Sequence, residues 1–259
     1  MPGEVVLSKA GAIATVALSA PERLNALDLA MWRQVAAHFR AIAKDDSVRC
    51  VILRGAGEQA FAAGADIAEF ANERSNVQQA RNYGGAMHGA LDAILECPQP
   101  VLAAILGPCV GGGLELASTC DLRLCGVGSR FGVPVNRLGL VVAYNEMRPL
   151  VELVGKAVAL EIVLEGRVFG AAEAKEKGLV NRVVPDGELL AEALATATRI
   201  AEGAPLVARW HKKFARRLAD PRPLSAAEAD ESFHCFGTED FQIGYRSFLE
   251  KRKPSFKGC

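Results

Sequence analysis

Residues 106–121, LGPCVGGGLELASTCD, place three consecutive glycines directly before an apolar run whose only early acid is Glu115. Gly111, Gly112 and Gly113 leave backbone N–H groups bare and allow close approach. A helix starting there adds unpaired donors and the positive end of its dipole. Gly112 and Glu115 are three residues apart, so a first helical turn sets a donor and a carboxylate on one side. Polarising a carbonyl while moving a nearby proton needs that pair of groups. The same residues also fit a plain strand-to-helix turn with an acid favoured by the dipole. A nucleotide loop fits poorly. No Lys-Ser or Lys-Thr follows Gly113, and Glu115 puts a carboxylate where a phosphate would sit.

The elements that must position these groups follow from spacing. Residues 4–18 read as two short strands broken at Ala10-Gly11. Residues 21–27 read as a loop that closes on Asp28, a helix N-cap. Leu29, Trp32, Val35, Phe39 and Ile42 keep helical spacing. Residues 48–54 form a buried-type strand, a loop leads into FAAGADIAEF at 61–70, and a helix over about 77–95 precedes a strand at 101–106. Another strand follows over 121–127. This alternation predicts an α/β arrangement with largely parallel strands. Beyond Asn145 the spacing is helical over 146–154, 157–164, 171–177 and 188–202, with a short strand at 180–184. The tail over 225–248 is helical too, with apolar residues suited to a neighbouring subunit.

With 259 residues, half of them apolar, the chain can bury a sizeable core. Thirty basic residues balance thirty acidic ones, so no global field draws in nucleic acid or an anionic membrane. The richest basic run, RWHKKFARR at 209–217, reads as a solvated helix face rather than an RNA site. Seven cysteines without paired short spacing suit a reducing, cytoplasmic setting. Four scattered histidines give no ligand-spaced pair, and no bound metal is expected. The apolar stretch 10–20 reads as a strand rather than a secretory signal. The charge-free window 97–114 is broken by three prolines and the glycine run, so no membrane span is expected.

Taken together and in order, FAAGADI, GGG-x-E-x-A-x-x-CD, FG-x-P, GL-x-N-x-V-x-P and FLEKRKPSF resemble the crotonase, or enoyl-CoA hydratase/isomerase, family over nearly the whole chain. The resemblance implies a spiral of ββα units over residues 1–200, a C-terminal helical oligomerisation region over 201–259, and a trimer or dimer of trimers. It implies an acyl-CoA substrate, with no cofactor beyond the CoA that the substrate carries. The amides of Ala65 and Gly112 would form an oxyanion hole for the thioester oxygen. Each such donor is worth roughly 3 kcal/mol in the transition state. CoA would lie along 23–27 and 63–67, bringing in Arg23, Ala26, Ala63, Asp66 and Ile67. Arg23 would meet a phosphate or stand as a plain surface arginine, and Lys251 is a weaker phosphate candidate.

Glu115 matches the first catalytic glutamate of the hydratases. The second, expected as FG-x-PE, is replaced by Val135, which transfers no proton. Three residues near the expected acyl pocket are substitutes: Glu146, Tyr144 and Asn136. Glu146 is preferred, although its place also suits an ordinary acid at a helix start. Asn136 and Arg137 would alternatively hold a polar or carboxylated acyl group. The leading reading is a 2-enoyl-CoA hydratase. An isomerase or decarboxylase of the same family, and a non-catalytic acyl-CoA binder, are the alternatives.

Overall fold

The computed structural model describes residues 2–259. Strand β1 (Glu4–Ala10) pairs antiparallel with β2 (Ile13–Ser19), turning at Gly11. In β2 the alternating Ala14, Val16 and Leu18 are buried, the period of two that a sheet over a core requires. Asp28 then caps α1 (Leu29–Ile42), its carboxylate accepting from Met31 N–H at 2.8 Å. The expected stripe of Trp32, Val35, Phe39 and Ile42 is buried along this helix.

Strand β3 (Cys50–Gly55) runs parallel to β2. A loop and the short α2 (Phe70–Glu73) lead to α3 (Val77–Glu96), which packs against α1. From here the chain climbs in ββα units. Strand β4 (Val101–Ile105) joins the large sheet, β5 (Pro108–Val110) leaves it for a small second sheet, and α4 (Gly112–Thr119) closes the unit. The next unit repeats the pattern with β6 (Leu122–Gly126), β7 (Arg130–Gly132) and α5 (Tyr144–Glu165). After β8 (Phe169–Gly170), α6 (Ala171–Glu176) and β9 (Arg182–Val184), the large sheet is complete in the order β1-β2-β3-β4-β6-β9, parallel from β2 onward. The expected α/β architecture with a spiral of ββα units is what the chain adopts.

Strands β3 and β4 are apolar throughout because the sheet is covered on both faces. Val51, Leu53, Val101 and Ala103 point into the main core with α1 and α3. Cys50, Ile52, Leu102 and Ala104 meet α7 (Leu189–Ala201) through Leu189, Ala193 and Ala197. The small sheet, β5-β7-β8, is absent from the sequence reading, since strands of two or three residues carry no usable periodicity. The expected break between 154 and 157 is real: within α5, Gly155 takes φ +76°, off the helical path.

The C-terminal region comprises α8 (Pro205–Leu218), α9 (Ala226–Asp230), a 3-10 turn over Glu231–Gly237 and α10 (Glu239–Leu249). The basic run on α8 is only in part the solvated face the sequence suggests: His211, Lys213, Ala215 and Arg216 are exposed, while other cations are engaged by the core. Arg209 pairs with Asp46 and Lys212 with Asp121, each at 2.7 Å, and Lys213 and Arg217 meet Glu231 and Glu228. Its cations therefore fasten the C-terminal region to the core and to itself, and the Lys212 side chain is only 7% exposed. Leu218, Phe233, Phe236, Phe248 and Leu249 remain exposed. Among the described residues, no helix is long and apolar enough to cross a membrane.

Candidate active site

The glycine run turns from β5 into α4 in one step. Gly111 holds φ +52° and ψ −122°, a conformation that side chains resist, and its N–H bonds Gly132 O on β7 at 2.9 Å. This rotation aims the first amides of α4 away from the sheet. Gly112 is buried, and a Cβ there would stand 2.9 Å from Trp32 Cζ2 and 3.6 Å from the Ala65 nitrogen. No side chain fits between the two.

Ala65 is brought to this place by a backbone bridge. Leu27 N–H donates to Gly64 O at 2.7 Å, and Asp66 N–H donates to Leu27 O at 2.9 Å. These bonds leave the Ala65 amide pointing the other way. Among the described residues, neither the Ala65 nor the Gly112 N–H has a protein acceptor. Trp32 Nε1 donates to the Tyr83 hydroxyl at 3.0 Å, and that hydroxyl donates to Leu27 O at 3.2 Å. One buried network thus stands behind Gly112 and holds Leu27, whose backbone bridges to the loop that carries Ala65. Two N–H groups without protein acceptors lie close together, one of them at a helix N-terminus, where the dipole favours negative charge.

Both amides line a cavity of about 320 Å³. Glu115, in the first turn of α4, lines it as well, 8% exposed. So does Glu146, 7% exposed, from the first turn of α5. Burial, with the negative charge of Glu146 next and Arg74 opposing, lifts the Glu115 carboxyl to about 8. Glu115 therefore holds its proton more tightly than a free carboxyl does. No hydrogen bond from the described residues holds its carboxyl. Glu146 is clamped: Oε2 accepts Ala143 N–H at 2.8 Å, and Oε1 lies 2.9 Å from His88 Nε2. Glu146 thus closes the helix start and also lines the cavity.

The remaining wall is mostly apolar, with Met87, Pro134, Val135, Leu138, Leu140 and Val141, and Arg137 lines it too. Val135 thus lies beside the site with a hydrocarbon where the resembling motif has its acid. Ala63 and Ile67 also line the cavity, whereas Ala26 is buried just behind, in the loop that meets Ala63 through its N–H to Leu24 O at 3.0 Å.

Four expected positions lie elsewhere. Tyr144 is 92% exposed, since as the first residue of α5 it projects outward while Glu146 turns in. Asn136 donates through Nδ2 to Leu164 O at 2.9 Å, satisfying a carbonyl that the end of α5 leaves without a helical partner. Asp66 caps a 3-10 turn by accepting Ala68 N–H at 3.0 Å and pairs with Arg23, so it faces the backbone and not the cavity. Arg23 is held by Asp66 and by Asp28, the latter at 3.3 Å, outside the cavity.

Arg74 and His88 escaped the sequence reading. Arg74 lies over the rings of Phe70 and Tyr83, 4.6 and 4.8 Å from their centres, with its charge toward Glu115. No local spacing announces either residue. The nearest signal was the lone histidine on α3 one position after the cavity-lining Met87.

Comparison with known proteins agrees with this geometry. Residues 8–259 match the model of the enoyl-CoA hydratase/isomerase family. A short-chain-enoyl-CoA hydratase of Clostridium acetobutylicum is 34% identical over 96% of this chain and 95% of its own. A crotonyl-CoA hydratase of Syntrophomonas wolfei is 34% identical over 97% of both. The crystal structure of an enoyl-CoA hydratase/carnithine racemase from Magnetospirillum magneticum superposes with a TM-score of 0.97 at 53% identity, over 98% of this chain and 96% of that one. The chain belongs to the enoyl-CoA hydratase/isomerase family.

Proposed function

We propose that this protein adds water across the double bond of a 2-enoyl-CoA thioester, with Glu115 and Glu146 sharing the proton transfers. The observation that carries the reading is the pair of buried carboxyls that line one cavity from different helices, beside two unengaged amides. A thioester oxygen between the Ala65 and Gly112 N–H groups gains charge as water attacks C3, and donors already in place stabilise that charge more than the ground state. Glu146 takes the proton of the attacking water. Glu115, whose carboxyl burial pushes toward the protonated form, delivers a proton to the α-carbon. The sum is one water added. The step calls on no cofactor apart from the CoA of the substrate.

An apolar lining of Met87, Val135, Leu138 and Val141 suits a hydrocarbon acyl chain. The names of the Clostridium and Syntrophomonas relatives support a short one. The seven free cysteines suit a cytoplasmic setting. The exposed Phe233, Phe236, Phe248 and Leu249 support residues 201–259 as an oligomerisation region for a trimer or dimer of trimers.

The test is mass analysis of crotonyl-CoA after incubation with the protein. A gain of one water supports the reading. An unchanged mass with a shifted double bond, or loss of CO2 from a malonyl-type thioester in place of hydration, would move the assignment to an isomerase or a decarboxylase. Binding without turnover of any thioester would leave a non-catalytic acyl-CoA binder.

A further inference from the structure

Helix α4 carries the Gly112 amide at one end and runs toward a buried arginine at the other. All eight of its residues are buried, and its first two are glycines, a weak beginning for a helix. Beyond its far end, Arg123 on β6 is 4% exposed. Its Nη1 donates to Ala117 O at 3.3 Å and to Cys120 O, and its Nε donates to Leu179 O at 2.9 Å. Ala117 O is one of the last four carbonyls of α4, which a helix leaves without partners of its own. The main chain of Arg123 is fastened as well, its N–H to Asn181 Oδ1 at 2.8 Å and its O by Asn181 N–H at 2.9 Å. No carboxylate among the described residues pairs with the guanidinium. Asp121, whose charge reaches it, is engaged by Lys212 Nζ and by Val101 N–H, each at 2.7 Å, and burial pushes the nearby Cys120 thiol up to about 12, so that it stays uncharged. A buried cation without an ion-pair partner is costly unless something else holds it, and here that is the negative end of the α4 dipole.

We propose that Arg123 is a positioning residue of the oxyanion hole, acting through α4: it pins the C-terminal end of the helix and meets the negative end of its dipole, so that the Gly112 amide stays on the thioester oxygen as charge develops there. The inference rests on the hydratase reading. Arg123 does not line the cavity, so its effect travels along the helix axis, a path of about 12 Å. At the start of α4 the Gly111 N–H bonds Gly132 O, and at the end Arg123 ties the last turn to β6 and to the segment before β9. Without the guanidinium, Leu179 O and Cys120 O lose its donors and α4 is free to shift along its axis, which moves the Gly112 amide relative to that of Ala65. Misplacing a positioned group by about 1 Å costs up to about a hundredfold in rate, and the bond at Gly111 limits the shift, so the expected loss is about tenfold.

The experiment takes the full-length wild type, R123M, R123Q and R123K through two measurements: steady-state hydration of crotonyl-CoA, and the infrared carbonyl stretch of bound butyryl-CoA, a saturated thioester that cannot be hydrated. A carbonyl polarised by donors absorbs at lower frequency than a free one. In R123M and R123Q, kcat is expected to fall by about tenfold with KM within about twofold, and the downshift of the stretch to shrink to about half of its wild-type size or less. R123K restores the charge and a donor, and with them part of both readouts. R123Q keeps a donor for the carbonyls of α4 and decides the matter if R123M does not fold. R123Q with the wild-type kcat, a lowered kcat with the full downshift, or an R123K no nearer the wild type than R123Q would each overturn the positioning role. A wild type that neither shifts the stretch nor hydrates crotonyl-CoA sinks the parent reading and removes this one with it, whereas a wild type that does both, alongside fully active variants, sinks this one alone.

Discussion

The two walls of the cavity are built by opposite means. One wall, from Ala62 to Ile67 and Val110 to Glu115, is backbone pinned by backbone: Val110 N–H bonds Ala62 O at 3.1 Å, Gly111 N–H bonds Gly132 O at 2.9 Å, and the buried Trp32–Tyr83–Leu27 network stands behind. The other wall, from Pro134 to Glu146, is a 3-10 turn and a loop with Leu138 53% and Val141 87% exposed, ending in a helix start. The first wall holds donors that must not move as charge develops, so its precision comes from main-chain bonds that side-chain drift does not disturb. The second wall meets the variable part of a substrate and carries an acid from a different backbone position than the resembling motif uses, Glu146 in place of residue 135.

That contrast is most sharply tested at Glu115. In E115Q, crotonyl-CoA hydration falls by about a hundredfold to ten-thousandfold, measured as kcat, since the group loses its transferable proton while its shape is kept. An undiminished rate would remove the acid that the stiff wall presents to the cavity from the mechanism. At Gly112, a Cβ 2.9 Å from Trp32 Cζ2 must push α4 or the indole aside. G112A is therefore expected to lose about a hundredfold in kcat/KM through the displaced amide, and an active G112A would show that the wall yields.

A third test uses pH. With the Glu115 carboxyl lifted to about 8, kcat/KM declines above that value as the acid loses its proton, and the alkaline limb disappears from the residual activity of E115Q. The same group governs stability. Its folded-state pKa lies above the ordinary 4.5, so the folded chain holds the proton more tightly than the unfolded one. The resulting stabilisation is complete below 4.5 and is lost as pH rises to 8. Denaturant unfolding of the wild type across that window should show the decline, and E115Q should flatten it. The smallest effect is expected at Asn136, on the outer side of the soft wall. N136A costs about 1 kcal/mol of stability through the bond to Leu164 O and leaves KM unchanged, read by denaturant midpoint and steady-state kinetics. A raised KM would return Asn136 to the acyl pocket.

Legibility in the sequence divides along the same line. The period-two pattern of Ala14, Val16 and Leu18, the Asp28 cap and the helical stripe from Trp32 to Ile42 are local signals, and each element stands where they place it. The glycine run and Glu115 were legible because a tight turn into a helix constrains residue types over four positions. The second sheet was not, because its strands are three residues or fewer and gain their partners from distant chain. Asn136 and Tyr144 were assigned by nearness in sequence to the pocket, and whether a side chain in a turn points in or out is fixed by the helix that follows. His88 and Arg74 enter only when α3 is folded against α5 and α4, a juxtaposition that one-dimensional spacing does not contain.

The direct test of the relocated acid is the rate of crotonyl-CoA hydration by E146Q, a substitution that keeps the side chain's shape. If Glu115 and Glu146 share the work, kcat drops by about a hundredfold or more, and V135E introduced into E146Q recovers part of it. If E146Q hydrates crotonyl-CoA at the wild-type rate, Glu146 is only the cap of α5 and the pairing of the two acids is wrong.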